Sequence, residues 1–504
     1  MRDMAGEAQR YRFGPREQRG IFGSLRPGQV ILLALGLLSV LLLLQLRSAL
    51  AMLLVFLVAS GVLLIAFWPI AGRTPEQWAP ILTRTAVARA RGRRGHRTAA
   101  PQLGRIDALG RDEPPTDVFD APPEIGDVEM LAAPMRGEEV GVLKDRAANT
   151  YTAVVAVRVS SFGLLSREDQ EQRLQAWGEV LASMAREDNP IRRLQWVERT
   201  VPADGDEIAR YLQEERDTTI SLSAGPVVSY IELIESGGTA AQDHELFLAL
   251  QLDARRAWKQ IKKLGGGDEG ACALLLRELE TFAGRLGGAA IEVQGVLRPR
   301  MYARALRDAF DPYGRSTRNR AAALGGEPGI DPSRAWPMAA EATWATYRSD
   351  SAVHATYWIS GWPRLDVGAS FLSPLLMQTN GMVRTVSVVM EPIAPSRAIR
   401  NAEAARTADI ADEQTRARHG FLTTARKRSQ QEATVRREQE LADGFAEFRY
   451  SGFLIVSAPD AETLERDCAQ VEHAGHQARL ELERLYGEQA TGFTFGLPIG
   501  RGLL

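Results

Sequence analysis

The stretch YTAVVAVRVSS, Tyr151–Ser161, sets the fold. It is a β-branched run, and such runs favour strands. Ser166 and Asp169 follow in the S-x-x-D spacing that opens a helix, the serine capping the amides of the first turn. Leu174, Trp177, Leu181 and Met184 then recur at helical spacing. RRLQWVERTV, from Arg192, returns as a strand. The order is therefore strand, helix, strand.

The same order recurs three more times. A mostly helical insert at about 203–240 precedes ELFLALQLD, from Glu245; a helix over 271–286 and the strand IEVQGVL, from Ile291, complete the second unit, and 298–310 is helical. The third unit has HATYWISGW from His354, a helix near 367–377 and VRTVSVVMEPI from Val383. The fourth has EFRYSGFLIVSA from Glu447, Asp460 as a helix cap, a helix to about Gly475, and ARLELERLY from Ala478. Two such units make a ferredoxin-like sandwich, an antiparallel sheet with helices on one face. The predicted class is α+β, with two ferredoxin-like lobes at 127–310 and 338–504 separated by a loop at 311–337. Residues 396–445, charged and alanine-rich, predict a long helix or helical hairpin broken near Gly420 and projecting from the second lobe, as a solvated arm or a docking surface.

The N-terminal part differs. Residues 28–70 are apolar apart from a polar break at Gln45, Arg47 and Ser48. Because a membrane core needs ~20 apolar residues per helix, the sequence predicts a transmembrane hairpin, 28–46 and 49–70. A signal peptide would need one short apolar region and a cleavage site. Arginines flank the pair in a basic tail at 1–27 and a basic segment and linker at 71–126, which predicts both termini on the cytoplasmic side of a cell membrane. Trp68 and Trp78 occupy interfacial positions. Residues 75–90 form a candidate interfacial helix, and Arg89, Arg91, Arg93 and Arg94 are candidates for contact with anionic lipid. DNA is the alternative anion, although no aromatics interleave with these arginines for base stacking.

Charge follows the same division. Residues 1–105 carry 15 basic and four acidic residues, while the remainder carries 46 basic and 59 acidic, a net of −13. Only five of the 61 basic residues are lysine: Lys144, Lys259, Lys262, Lys263 and Lys427. No lysine follows a glycine, so the phosphate loop G-x-x-x-x-G-K-[ST] is absent. The glycine-rich ending FTFGLPIGRGLL, Phe493–Leu504, has no lysine for such a loop, and its glycines read as shaping a mobile tail. GGGDEG, 265–270, reads as a turn before a helix. There is no G-x-S-x-G elbow, and HELFL at His244 is not a zincin motif. Cys468, Glu472, His473 and His476 share one segment, but on a helix Cys468 points away from the histidines, and a surface helix accounts for them better than zinc. The two cysteines read as idle thiols. No catalytic, cofactor or metal site is assigned.

Two parts resemble known families. RYRFGPREQRGIFGSLRPGQ with the following hairpin, about 10–73, is similar to the PrgI-like two-span subunit of type IV secretion systems. The segment 440–504, with ADGF, YSGFLIVSA, DAETLERDCAQV and GLPIG, resembles the N-terminal, non-motor domain of TraC/TrbE-like conjugation ATPases. The whole arrangement looks like the actinobacterial integral membrane proteins encoded beside such ATPases. The resemblance implies a membrane-anchored, non-enzymatic scaffold of a type IV-like secretion or conjugation apparatus that recruits a separate hexameric ATPase. Its implied partners are that ATPase, other membrane subunits, anionic lipid and further copies of itself. Leu497, Pro498 and Arg501, in the segment that leads into the motor in those ATPases, are candidate docking residues. The alternatives from other classes are an enzyme with an unrecognised site and a general membrane scaffold that binds lipid or DNA.

Overall fold

The computed structural model describes residues 27–45, 49–67, 74–90, 95–98, 105–106, 112–113, 120–159, 162–202, 219–221, 223–238, 242–323, 328–377, 381–418 and 425–503. The chain divides into two compact units, one within 15–94 and one holding 95–504.

In the smaller unit, helices Pro27–Leu44 and Ala49–Phe67 pack side by side, and helix Pro75–Ala90 follows. Gly36 lets the first two approach: a Cβ there would lie 2.8 Å from a methyl of Val62. The buried Gln29 amide donates to the Ala66 carbonyl at 2.9 Å. Thr74 opens the third helix, and Gln77 reaches back to the Thr74 amide at 3.0 Å, half of a capping box.

The larger unit is built on one sheet that is antiparallel at every pairing. The first repeat comprises β6 (Thr150–Val159), β7 (Ile191–Pro202), β8 (Gln242–Asp253) and β9 (Ile291–Val296). The second comprises β12 (Ala352–Gly361), β13 (Val383–Ile393), β14 (Glu447–Ala458) and β15 (Glu481–Arg484). In space the first runs β9–β6–β8–β7 and the second β15–β12–β14–β13, so each repeat takes the ferredoxin-like order fourth, first, third, second. The second strands of the repeats then pair with each other, β7 against β13, from Leu194↔Met390 to Thr200↔Arg384. The junction is thus approximately two-fold.

The outer edges repeat the symmetry. Beyond β6, the hairpin β4 (Val128–Met135) and β5 (Glu138–Asp145) pairs with the first half of the strand, and β9 with the second half. Beyond β12, β11 (Tyr347–Ser349) takes the first half and β15 the second, with β10 (Ala339–Ala342) and β1 (Gly95–Arg97) outside β11; β2 (Arg105–Ile106) and β3 (Asp112–Glu113) pair with each other apart from this sheet.

Both faces of the sheet are covered. On one, Val155, Leu194, Leu248 and Leu250 pack under helix Gly267–Leu286, and Tyr357, Leu454 and Val456 pack under helix Ala461–Gln477. On the other, Val154, Val197, Phe247, Phe453 and Ile455 meet helix Pro299–Phe310 and the C-terminal residues 493–499. Two buried faces explain why the strands read as continuous apolar runs instead of alternating ones. Ser166 caps helix Arg167–Ala182 and Asp460 caps Ala461–Gln477 through side-chain bonds to first-turn amides. Helices Pro395–Arg418 and Ala425–Ala442 form an antiparallel arm held by Arg406–Glu438 at 2.6 Å and Thr434–Asp409 at 3.0 Å.

The expected fold class is corrected in two respects. The strands assigned to separate lobes form one continuous sheet. Among the described residues, no helix is long and apolar enough to cross a membrane, so the transmembrane hairpin is not seen. Helices Pro27–Leu44 and Ala49–Phe67 have 18 and 19 residues. At 1.5 Å per residue they reach about 27 and 28 Å, at the short end of what a ~30 Å hydrocarbon core requires. The first turn of the former also holds Pro27 and Gln29. The localisation that rested on that hairpin, a two-span membrane protein with both termini cytoplasmic, is corrected with it.

Candidate functional site

The glycine-rich ending is not a tail. A short helix, Gln489–Phe493, leads into a strap that crosses the junction of the two repeats. Phe493 packs against Phe310, Tyr347 and His354 with ring centroids 5.0, 5.0 and 4.5 Å away, and Phe495 lies 4.6 Å from Phe453. Leu497 and Ile499 are buried. The expectation of a mobile tail is corrected: alternate residues of the strap carry large apolar side chains, and these fill the second face of the sheet.

Polar side chains rising from the sheet meet the strap's backbone. Gln195 of β7, fully buried, holds the two hydrogens of its Nε2 among the Phe495 carbonyl, the Leu497 carbonyl and Ser387 Oγ, each at 2.9 Å. Its Oε1 accepts from the Gly500 amide at 2.7 Å. Gln251 of β8 donates to the Ile499 carbonyl at 3.1 Å, and the buried Tyr302 hydroxyl donates to the Pro498 carbonyl at 2.7 Å. Burial drives the Tyr302 phenol well above its ordinary pKa. Arg193 donates to the carbonyls of Gly500 and Leu503. At the far end Arg501 bonds the Glu124 and Ile125 carbonyls and pairs with Asp145 at 2.6 Å.

The glycines serve this packing. A Cβ on Gly496 would lie 2.4 Å from Ile455, and one on Gly500, at φ +73°, 2.5 Å from the Gln251 amide. Side chains at either position would lift the strap.

Beside the strap lies a buried ionic array that ties helices Pro299–Phe310 and Arg315–Ala323 to the sheet. Arg199 and Arg315 grip Glu245 at 2.5 and 3.0 Å, Arg318 grips Asp308 at 2.7 Å, and Arg307 reaches Asp350 at 2.7 Å. Burial pushes the Glu245 carboxyl up, but Arg199 and Arg315 outweigh it and hold the pKa below its ordinary value. Nearby, His244 Nδ1 and Glu198 Oε1 lie 2.7 Å apart, with Thr200 Oγ1 bonded to the same oxygen at 2.5 Å. His354 is buried between the hydroxyls of Ser349 and Ser457, each 2.8 Å from a ring nitrogen. Most of these groups are satisfied by one another, while the buried Glu198 Oε2 and Arg315 Nε make no hydrogen bond.

The residues singled out in the sequence fall in separate places. Leu497 and Pro498 are buried in the strap, and Arg501 is engaged with its own chain. Trp78 is half-buried in helix Pro75–Ala90, which also holds Arg89; Trp68, Arg91, Arg93 and Arg94 lie outside the described residues. Cys468 is on the buried face of helix Ala461–Gln477 while His473 and His476 of the same helix are exposed, and Glu472 accepts from Tyr357 at 2.8 Å. Among the described residues, no group of three or more His, Cys, Asp or Glu side chains is placed to hold a metal ion. Both cysteines are free and buried, and burial pushes each thiol up to about 11. The signal for the strap was present in the sequence: a glutamine at the centre of each apolar strand, RRLQWV and LALQLD, needs a buried partner.

Residues 240–359 match a family described as EccE, a putative type VII ESX secretion system translocon. That span runs through β8, the last strand of the first repeat, β10 and β11 into β12. No curated protein matches the chain. The match associates the chain with secretion-system components at that coarse level. It does not support the fusion of a PrgI-like subunit with a TraC/TrbE-like domain of type IV systems, and that part of the resemblance is corrected.

Proposed function

We propose that this chain is a structural, non-catalytic component of a type VII ESX-like secretion apparatus. It works as a scaffold on which a separate ATPase and other subunits are held. The family match over 240–359 carries this reading. Two features of the chain support it. The sequence has no phosphate loop of its own, so mechanical work would come from a partner's nucleotide hydrolysis. The buried polar groups described above are also spent on holding two repeats in one rigid sheet, as suits a platform.

The reading is tested by deleting the gene and measuring proteins exported to the culture medium. Loss of a defined set of exported proteins, restored by the intact gene in trans, is the expected result. Unchanged export would refute the scaffold role.

A further inference from the structure

The stretch RRAWKQIKK, Arg255–Lys263, holds five basic residues and no acidic one, within a body whose net charge is −13. It forms the turn after β8 and the short helix Trp258–Lys263. Three of the chain's five lysines lie here, and a fourth, Lys144, lies across an adjoining cleft. Arg255, Lys259, Lys262 and Lys263 are exposed, and among the described residues none of them has an ion-pair partner. Arg256 lies 3.7 Å from Glu391. Elsewhere in this unit the arginines Arg199, Arg315, Arg318 and Arg501 are consumed in ion pairs. The patch is thus an unneutralised positive surface on an acidic body.

Its apolar features are local. Ile261 is turned into the core, whereas Trp258 is 55% exposed and Leu264 38%. Trp258 forms one wall of the cleft, of about 490 Å³, whose other walls include Lys144, Tyr151, Lys262 and Gly266. Lys144 is neutralised by Asp268 at 2.6 Å, and Tyr151 bonds the same carboxylate at 2.7 Å.

We propose that this patch docks an acidic segment of a partner protein, with its carboxylates over Lys259, Lys262 and Lys263 and an apolar side chain against Trp258. Charge complementarity selects the partner: three lysines without counter-charges suit a short run of Asp and Glu. A lipid surface fits less well, because an interfacial helix needs a free apolar face, and Ile261 has spent this one on the core. A nucleic acid fits less well, because its continuous phosphate charge would be repelled by the rest of the body, and one tryptophan is a poor stacking platform. The inference does not depend on the secretion-system reading.

The test uses the full chain and a short fluorescent peptide of Asp and Glu around one Phe, with an Asn/Gln peptide as control, followed by anisotropy. Binding of the acidic peptide alone, weakening as salt is raised, is expected. The triple variant Lys259→Glu, Lys262→Glu, Lys263→Glu should lower affinity by more than about tenfold. The triple Lys→Arg variant should retain it, and Trp258→Ala should weaken binding without changing its salt dependence. All these side chains are exposed, and circular dichroism verifies that the variants keep the fold. Equal binding of the acidic and neutral peptides, or of the wild type and the charge-reversed variant, would overturn the proposal. So would tighter binding, through the same lysines, to phosphatidylserine vesicles or duplex DNA than to the peptide.

Discussion

Gln195→Ala is the substitution that bears hardest on the strap. The amide is fully buried, holds the carbonyls of Phe495 and Leu497, and accepts from the Gly500 amide. Alanine leaves these groups buried and without their partner. Nε2 has two hydrogens, so about three effective hydrogen bonds are lost, two donated and one accepted. A buried polar group left without a partner costs about 1–3 kcal/mol. The low end is appropriate because the strap can shift, which gives a loss of roughly 3 kcal/mol. At about 2 °C per kcal/mol, the figure for larger chains, the melting temperature should fall by about 6 °C. Thermal melting and limited proteolysis measure this, with early cleavage near residues 493–503 expected in the variant. Gln195→Glu should be worse, because a carboxylate would face the same carbonyls. A Gln195→Ala protein that melts within about 1 °C of the wild type, with its C-terminal residues still protected, would refute the reasoning.

Other consequences follow from the same core. Tyr302→Phe removes the hydroxyl bonded to the Pro498 carbonyl, and urea denaturation should show a loss of about 1 kcal/mol. Burial pulls the His354 pKa down to about 3, against about 6.5 in an unfolded chain. Between those values the unfolded chain binds the extra proton. This contribution to stability is therefore complete above about pH 6.5 and declines by about 1.4 kcal/mol per pH unit as pH falls toward 3. Stability curves measured from pH 7 to 4 should be flatter in His354→Gln. Cys272 and Cys468 are buried with thiols pushed up to about 11, so a thiol reagent at neutral pH should label neither until the protein is denatured.

Much of the strand pattern was legible because it is local. The β-branched runs at 151–159 and 383–389 and the caps at Ser166 and Asp460 each depend on near neighbours in sequence. The joining of β7 to β13 is a tertiary choice. Both strands mix apolar and polar residues on both faces, and nothing in either run names its partner along the edge. The strap was misread because glycine was taken as a sign of mobility. Phe493 ends the short helix, Phe495 lies in the 3-10 turn that follows, and Leu497 and Ile499 come after it, yet all four side chains share one buried core. Gly496 among them and Gly500 after them are the residues that let the backbone lie close to Ile455 and Gln251. The hairpin at 28–70 rests on the length of the apolar run, its polar break and the flanking arginines, whereas the structure sets the helix lengths. The candidate docking residues Leu497 and Pro498 were chosen by resemblance, and burial places them inside the fold.

The scaffold account is tested most directly by affinity purification of the full-length tagged chain from its native host under mild conditions, with quantitative mass spectrometry of what accompanies it. The account predicts other components of one secretion apparatus, a P-loop ATPase among them, in fixed ratio to the chain. Recovery of the intact chain without any secretion component, under conditions in which that apparatus is otherwise isolated whole, would contradict it.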